Sequence, residues 1–400
     1  MHALRILQQR VRQDCPKIHL KRLGALLACV TAALLGQRLT LTELGRALPS
    51  QARVKHNIKR VDRLLGNAKL RVECFSIYQA ITRWMLGQAR QPIIVVDWSD
   101  LTADRSWQLL RAAIPVGGRT LTVYEEVHPL RHFGNRKVHR AFLRQLRTLL
   151  PADTTPILIT DAGFRAPWFK AVSRLGWHWI GRVRGRDYVR THGSQTWVGC
   201  KSLYPKANAR PQALGCYEIV RSNSVCCSLY LIKRAKKNRV KKSVFGKPVR
   251  RNQSLKQARA QREPWLLAAS PSLAEYSAPD IVNFYAKRMQ IEEAFRDLKS
   301  DRYGLGFELN LSRTRERITT LLLIASLALF VLWHIGCAAI TLGLQYQYQS
   351  NTRRSRPVIS ACYLACLLLR HTFYTSPPRM LSMLRPQRYG SLPIAAFNPV

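Results

Sequence analysis

The sequence predicts an α/β protein: a mixed sheet flanked by helices, interrupted by a β-rich insertion, with helical regions at both ends. Three observations predict it. Residues 92–185 alternate as strand, strand, strand, helix, strand, helix, strand. Two of those strands, PIIVVDW (92–98) and PILITDAG (156–163), are apolar, β-branched runs that each end at an aspartate, Asp97 and Asp161. Much later, residues 279–302 form an amphipathic helical stretch with no internal Pro or Gly.

Residues 1–88 read as helices. Leu23–Gly36 is short for a membrane span and suits a core helix. Thr40 with Glu43 makes a capping box, opening a helix that ends near Pro49. Ser50 is placed to cap the next helix, which runs through VKHNIKRVDRLLG with Val54, Ile58, Val61 and Leu65 on its buried side. Its other side carries Arg53, Lys55, His56, Lys59, Arg60 and Arg63. Two short helices about a turn, the second basic, suit a helix-turn-helix-like reader of DNA, with Lys55, Lys59 and Arg60 as candidate contacts. Any basic amphipathic helix would present the same pattern.

The next strands are expected near 92–98, 109–115, 120–127, 156–161 and 178–183, with helices near 136–149 and 167–175. Gly117-Gly118 marks the hairpin between the second and third strands. Three meandering strands followed by alternating helix and strand suggest a ribonuclease-H-like core. Its last helix would be 279–300, displaced by an insertion. The core then divides into 89–185 and 266–345, around an insertion at 186–265 with strand-like runs CYEIV and CSLYLI. Within it, Lys233–Arg262 holds thirteen Lys/Arg in thirty residues and no acid. That segment is a solvated loop on its own and a phosphate clamp when DNA is present. Residues 346–400 contain a basic link (Arg353, Arg354, Arg356), an apolar helix around 358–370 and a Pro-rich end; the helix is expected to help pair two protomers.

Composition narrows the function. The 400 residues exceed one ordinary core, and 47% hydrophobic content excludes a largely disordered chain. With 65 Lys+Arg against 22 Asp+Glu, the net charge of +43 calls for a polyanionic partner, nucleic acid being the usual one. The ten cysteines form no CxxC pair, so zinc-thiolate and redox spacings are lacking and free thiols in a reducing cytoplasm are expected. The N-terminus has no uninterrupted apolar core of signal-peptide type. Ile318–Leu344 has no charged residue and is long enough to cross a bilayer, but a helix buried on several sides gives the same pattern.

The stretch 279–302 carries the sharpest signal. Ile281, Phe284, Ile291, Phe295 and Leu298 share one face, with Ser277 and Asp280 as a capping-box-like start. Tyr285, Arg288, Glu292 and Lys299 fall within roughly 60° of one another on the adjacent face. A solvated face of ion pairs would account for them singly; two strand-terminal aspartates upstream make three carboxylates that can converge. The set resembles the DDE transposases of bacterial cut-and-paste insertion sequences, in the hairpin-forming subgroup whose last motif reads Y-x2-R-x3-E-x6-K, here Tyr285, Arg288, Glu292 and Lys299. The resemblance spans roughly residues 16 to 345 and is carried also by HLKRL (19–23), TLTELGR (40–46), KHNIKR (55–60), DRLLGN (62–67), VDWSD (96–100), DAGF (161–164) and KRMQIEE (287–293).

The resemblance implies that Asp97, Asp161 and Glu292 are catalytic and bind two Mg2+ ions, roughly 3.5–4 Å apart, with Mn2+ able to substitute. It implies that Tyr285, Arg288 and Lys299 hold DNA phosphates, and that Trp265 stacks a flipped base during hairpin formation. For Trp265 a core tryptophan of a strand remains the equal alternative, and Trp98 suits packing. The implied partners are duplex DNA, as terminal inverted repeats and as target, and a second protomer in a synaptic homodimer, with no membrane. Competing acids are Asp100, Asp104, Glu125, Glu126 and Glu293. A ribonuclease-H-like nuclease or resolvase without strand transfer, or an inactive DNA-binding remnant, is the alternative function.

Overall fold

The structure, a computed structural model, describes residues 2–235, 263–352 and 355–375. Most of the Lys/Arg-rich segment, Arg353 and Arg354, and the Pro-rich end lie outside the described residues. Among those described are ten strands in one sheet and eleven α-helices.

Five helices come first: α1 (His2–Asp14), α2 (Leu20–Gly36), α3 (Leu41–Ala47), α4 (Val54–Leu65) and α5 (Ala68–Leu86). The Thr40 hydroxyl accepts the Glu43 N–H at 3.2 Å and opens α3. Ser50 does not cap α4. That helix starts at Arg53 without a side-chain cap, and Ser50 Oγ instead accepts the Ala52 N–H and an Arg60 N–H. Val54, in the first turn, is therefore 50% exposed, while Asn57, Val61, Leu64 and Leu65 form the buried stripe. α3 and α4 meet at Gly45, where a Cβ would lie 2.7 Å from the Ile58 Cα.

The sheet begins with β1 (Ile93–Asp100), β2 (Trp107–Pro115) and β3 (Thr120–Pro129), an antiparallel meander turned at Gly117 and Gly118, both at positive φ. Helix α6 (Arg136–Leu149), β4 (Ile157–Thr160), α7 (Ala166–Ser173) and β5 (His178–Val183) follow, with β4 parallel to both β1 and β5. The next strands are β6 (Tyr188–Thr191), β7 (Val198–Gly199), β8 (Gln212–Ile219), β9 (Val225–Ile232) and β10 (Trp265–Ala269). The order is β3-β2-β1-β4-β5-β10-β9-β8-β6-β7. Strands of the 186–265 stretch thus prolong the same sheet, because β10 pairs antiparallel with β5 on one side and with β9 on the other.

The one helix expected over 279–300 is two, α8 (Ala278–Ala286) and α9 (Met289–Lys299). The Ser277/Asp280 capping box opens α8. At the junction, the Lys287, Arg288, Gln290 and Ile291 N–H groups all bond to carbonyls three residues back, a tightened turn without Pro or Gly. Helix α10 (Arg315–Thr341) then runs through the middle of the molecule, against β3, α1, α2, α4, α5 and the last described helix, α11 (Ala361–Thr375). Among the described residues α10 is long and apolar enough to cross a membrane; α2 and α3 are so only if that pair, bent by 93°, counts as one span. In α10 the most apolar stretch is 83% buried inside the protein.

Candidate active site

Register brings the first two acids together. The parallel pairing of β1 with β4 ends at Val95 opposite Ile159, and Asp97 and Asp161 each stand two residues further on. The expectation that Asp97 closes its strand needs correction: β1 runs on to Asp100, because its antiparallel pairing with β2 continues to Asp100 opposite Gln108. Asp161 lies just past β4, where its Oδ1 accepts the Gly163 N–H at 2.8 Å and fixes the turn into α7. Asp97 is 9% exposed, and its Oδ1 accepts the Trp98 N–H at 2.8 Å. Burial, and next the Asp161 charge, push its carboxyl up to about 7, against the pull of Arg288.

The tightened turn between α8 and α9 delivers Arg288. Its Nη1 donates to Asp97 Oδ2 at 3.3 Å and its Nη2 to Glu292 Oε1 at 2.6 Å, so one guanidinium joins the strand acid to the helix acid. Arg288 Nε is buried and has no hydrogen-bond partner among the described residues. Lys299, at the end of α9, donates from Nζ to Ser99 Oγ at 2.8 Å, and burial holds its ammonium below the usual lysine range. Asp97, Trp98, Ser99, Asp161, Arg288, Glu292, Phe295, Arg296 and Lys299 line one open cleft of about 490 Å3.

Beneath the cleft a charged row crosses the sheet. Asp97 is register partner to Arg111, and Arg111 to Glu125. Arg111, 1% exposed, donates from Nε to Glu125 Oε2 at 2.8 Å and lies 5.2 Å from the Phe295 ring centre. Tyr78 and Ser326 hydroxyls also donate to Glu125, which commits it to the core. The other competing acids are engaged elsewhere. Asp100 pairs with Arg105, Asp104 caps the Ser106 turn, Glu126 binds Tyr124 and His128, and Glu293 binds Arg296.

Five of the ten candidate residues therefore meet in the cleft: Asp97, Asp161, Arg288, Glu292 and Lys299. Tyr285 is 3% exposed and packs edge-on against Trp265, with ring centres 5.1 Å apart. Trp265 opens β10, half-buried, with the Arg234 guanidinium 4.6 Å above its ring. Lys55, Lys59 and Arg60 are exposed on α4. Ser99 and Arg296 were not singled out from the sequence, and Phe295 was read only as part of the packed face; period-2 alternation along β1 sets Ser99 on the Asp97 face and could have found it. Trp98, expected to pack, donates from Nε1 to His139 Nε2 at 3.0 Å and rests against His128 and Phe133.

Among the described residues no group of three His, Cys, Asp or Glu side chains is gathered closely enough to hold a metal ion. Arg288 lies between two of the three acids and is bonded to both Asp97 and Glu292. The donor chemistry of Asp97 and Asp161 fits a hard divalent cation: burial, and next the Asp161 charge, raise the Asp97 pKa, and such an ion would relieve both.

Two aspartates just past the β1–β4 pairing, faced by a helical glutamate and three cations, define an α/β protein whose cleft gathers acids and phosphate-binding cations. Residues 88–331, more than half of the chain, match the transposase DDE domain family, and the chain belongs to that family. DNA transposition and recombination are the chemistry of that family. Among solved structures, the chain is similar to a piggyBac transposase synaptic complex with hairpin DNA, at 10% identity and a TM-score of 0.42, over 96% of this chain and 77% of that one. No curated protein sequence matches it.

Proposed function

We propose that this transposase moves an insertion sequence by cut-and-paste, cutting duplex DNA at the element's terminal inverted repeats, forming hairpins there and joining the freed ends to target DNA. The observation that carries the reading is the meeting of Asp97, Asp161 and Glu292 with Arg288 and Lys299 around one cleft. The Y-x2-R-x3-E-x6-K spacing supports the hairpin-forming group, and within it a likeness to the transposase of the insertion sequence flanking the bacterial tetracycline-resistance composite transposon. The strand order β3-β2-β1-β4-β5 supports a ribonuclease-H-like core.

Each residue has work of its own. Asp97 and Asp161 would hold Mg2+, with Glu292 completing the ligation once it leaves Arg288. When bound, the metal supplies charge stabilisation at the attacking and leaving oxygens. Arg288 keeps the acids neutralised in the DNA-free protein, and a phosphate entering the cleft competes for its guanidinium. Lys299, a compact cation freed from Ser99, holds a second phosphate. Tyr285 backs the Arg288 turn, and Trp265, edge-on to it, offers a ring for an extruded base. The reaction runs in a synaptic homodimer.

The test incubates the protein with Mg2+ and labelled duplexes carrying the element's ends, with products resolved on a denaturing gel. A hairpin product is expected, lost in Asp97→Asn, Asp161→Asn and Glu292→Gln while end binding persists. Nicking without hairpins would replace this reading by a nuclease, and hairpins from the triple variant would remove the acids from the mechanism.

A further inference from the structure

We propose that the outer face of α6 is a second DNA-binding surface, taking the sugar-phosphate backbone of duplex DNA of unspecified sequence, the chemistry of target DNA. The inference rests on the transposase reading above. Helix α6 (RKVHRAFLRQLRTL) carries five cations and no acid. At 100° per residue, Arg136, Lys137, Arg140, Arg144 and Arg147 fall within an arc of about 100°. All five are exposed, and the opposite face buries His139, Phe142, Leu143, Leu146 and Leu149. Among the described residues none of the five has a carboxylate partner.

Stability does not account for this face. Arg136–Arg140, Arg140–Arg144 and Arg144–Arg147 are like charges at i,i+4 or i,i+3, each of which disfavours the helix. Arg136 and Lys137 sit in the first turn, where the helix dipole favours acids. A solvated helix normally relieves such strain with interspersed acids, as Arg10 and Asp14 do in α1. Here the helix supplies no acid, and a polyanion along the stripe would relieve all five charges at once.

The dimensions match. Eleven rises of about 1.5 Å separate Arg136 from Arg147, about 16 Å, long enough to face several successive backbone phosphates. Only Arg and Lys occupy the arc, so the face can position a backbone without reading bases. The site is also tied to the cleft: His139, on the inner side of α6, accepts the Trp98 Nε1–H at 3.0 Å, and Trp98 lines the cleft beside Asp97.

The experiment measures binding of the full-length protein to two labelled duplexes, one bearing the element's ends and one of unrelated sequence, from low to high salt. A triple variant, Arg140→Gln, Arg144→Gln and Arg147→Gln, removes three charges at exposed positions where glutamine keeps helix propensity. Its plot of log affinity against log salt should be shallower by about 2 to 3 on both duplexes. The matching Arg→Lys triple variant should keep the wild-type slope. Wild-type slopes in the glutamine variant, with the wild type binding both DNAs, would overturn this surface alone, as would a loss confined to the end-bearing duplex or a lost slope in the lysine variant. A wild type that binds neither DNA would overturn the transposase reading, and this surface with it.

Discussion

Arg288 makes the acids of the cleft depend on one another. A single guanidinium, half-hidden between α9 and β1, neutralises Asp97 and Glu292 at once, while Asp161 stands beside Asp97 with its own charge. A cation that already occupies the centre of an acidic cleft competes with any divalent ion for the same oxygens. Arg288→Ala should therefore raise the affinity of the DNA-free protein for Mn2+, by about tenfold if the competition is worth 1.4 kcal/mol. The same change should impair end processing, since the phosphate-binding group is gone. Mn2+ affinity can be read by the loss of its free-ion paramagnetic resonance signal, without any turnover. An unchanged Mn2+ isotherm in Arg288→Ala would mean that the guanidinium does not guard the site.

At the scale of elements, contacts between helices are set by the smallest residues. Gly45 lets α3 lie against α4, and an alanine there would bring its Cβ to 2.7 Å from the Ile58 Cα, which is backbone and cannot swing aside. Gly45→Ala should lower stability by about 1–3 kcal/mol through overpacking, and should weaken end binding more than binding of unrelated DNA, because the basic face of α4 is displaced. Thermal melting and a two-duplex gel shift would check both; an unshifted melt would show that the helices can part freely. Much at this scale was legible in the sequence. The β-branched runs at 92–98 and 156–161, the Gly117-Gly118 turn and the helical stretch near 136–149 announce themselves through local chemistry, and they suffice to deliver Asp97 and Asp161. What stayed hidden depends on distant partners. The break between α8 and α9 coincides with Arg288 reaching an acid 191 positions away, and no local residue marks it. The continuation of the sheet from β5 through β10 joins strands more than eighty residues apart, and Ser50 missed its cap because a turn absorbed its hydroxyl.

At the scale of the whole molecule, α10 ties the N-terminal helices to the sheet. Its apolar length reads like a membrane span because nearly every side of it is covered by protein. β3 covers one side, α11 approaches so closely at Gly336 that a Cβ would lie 1.9 Å from the Ala361 carbonyl oxygen, and α2, α4 and α5 cover another. The last contact is specific: Arg317 pairs with Asp62 at 2.8 Å, and Trp84 of α5 packs on Phe330 and stacks on His334. One continuous hydrophobic cluster runs from Leu4 through the strands to Leu369. The N-terminal helices are thus part of the same folding unit as the sheet, although their basic face on α4 suggests a separate module. A fragment beginning at residue 89 would keep every cleft residue yet bare the side of α10 that α2, α4 and α5 cover, an apolar patch large enough to drive association. The full chain should unfold in one transition, with tryptophan fluorescence and far-ultraviolet circular dichroism coincident. The fragment should aggregate or bind a hydrophobic dye at temperatures where the full chain does not. A monomeric fragment melting within a few degrees of the full chain would show instead that α10 is held by the sheet and α11 alone.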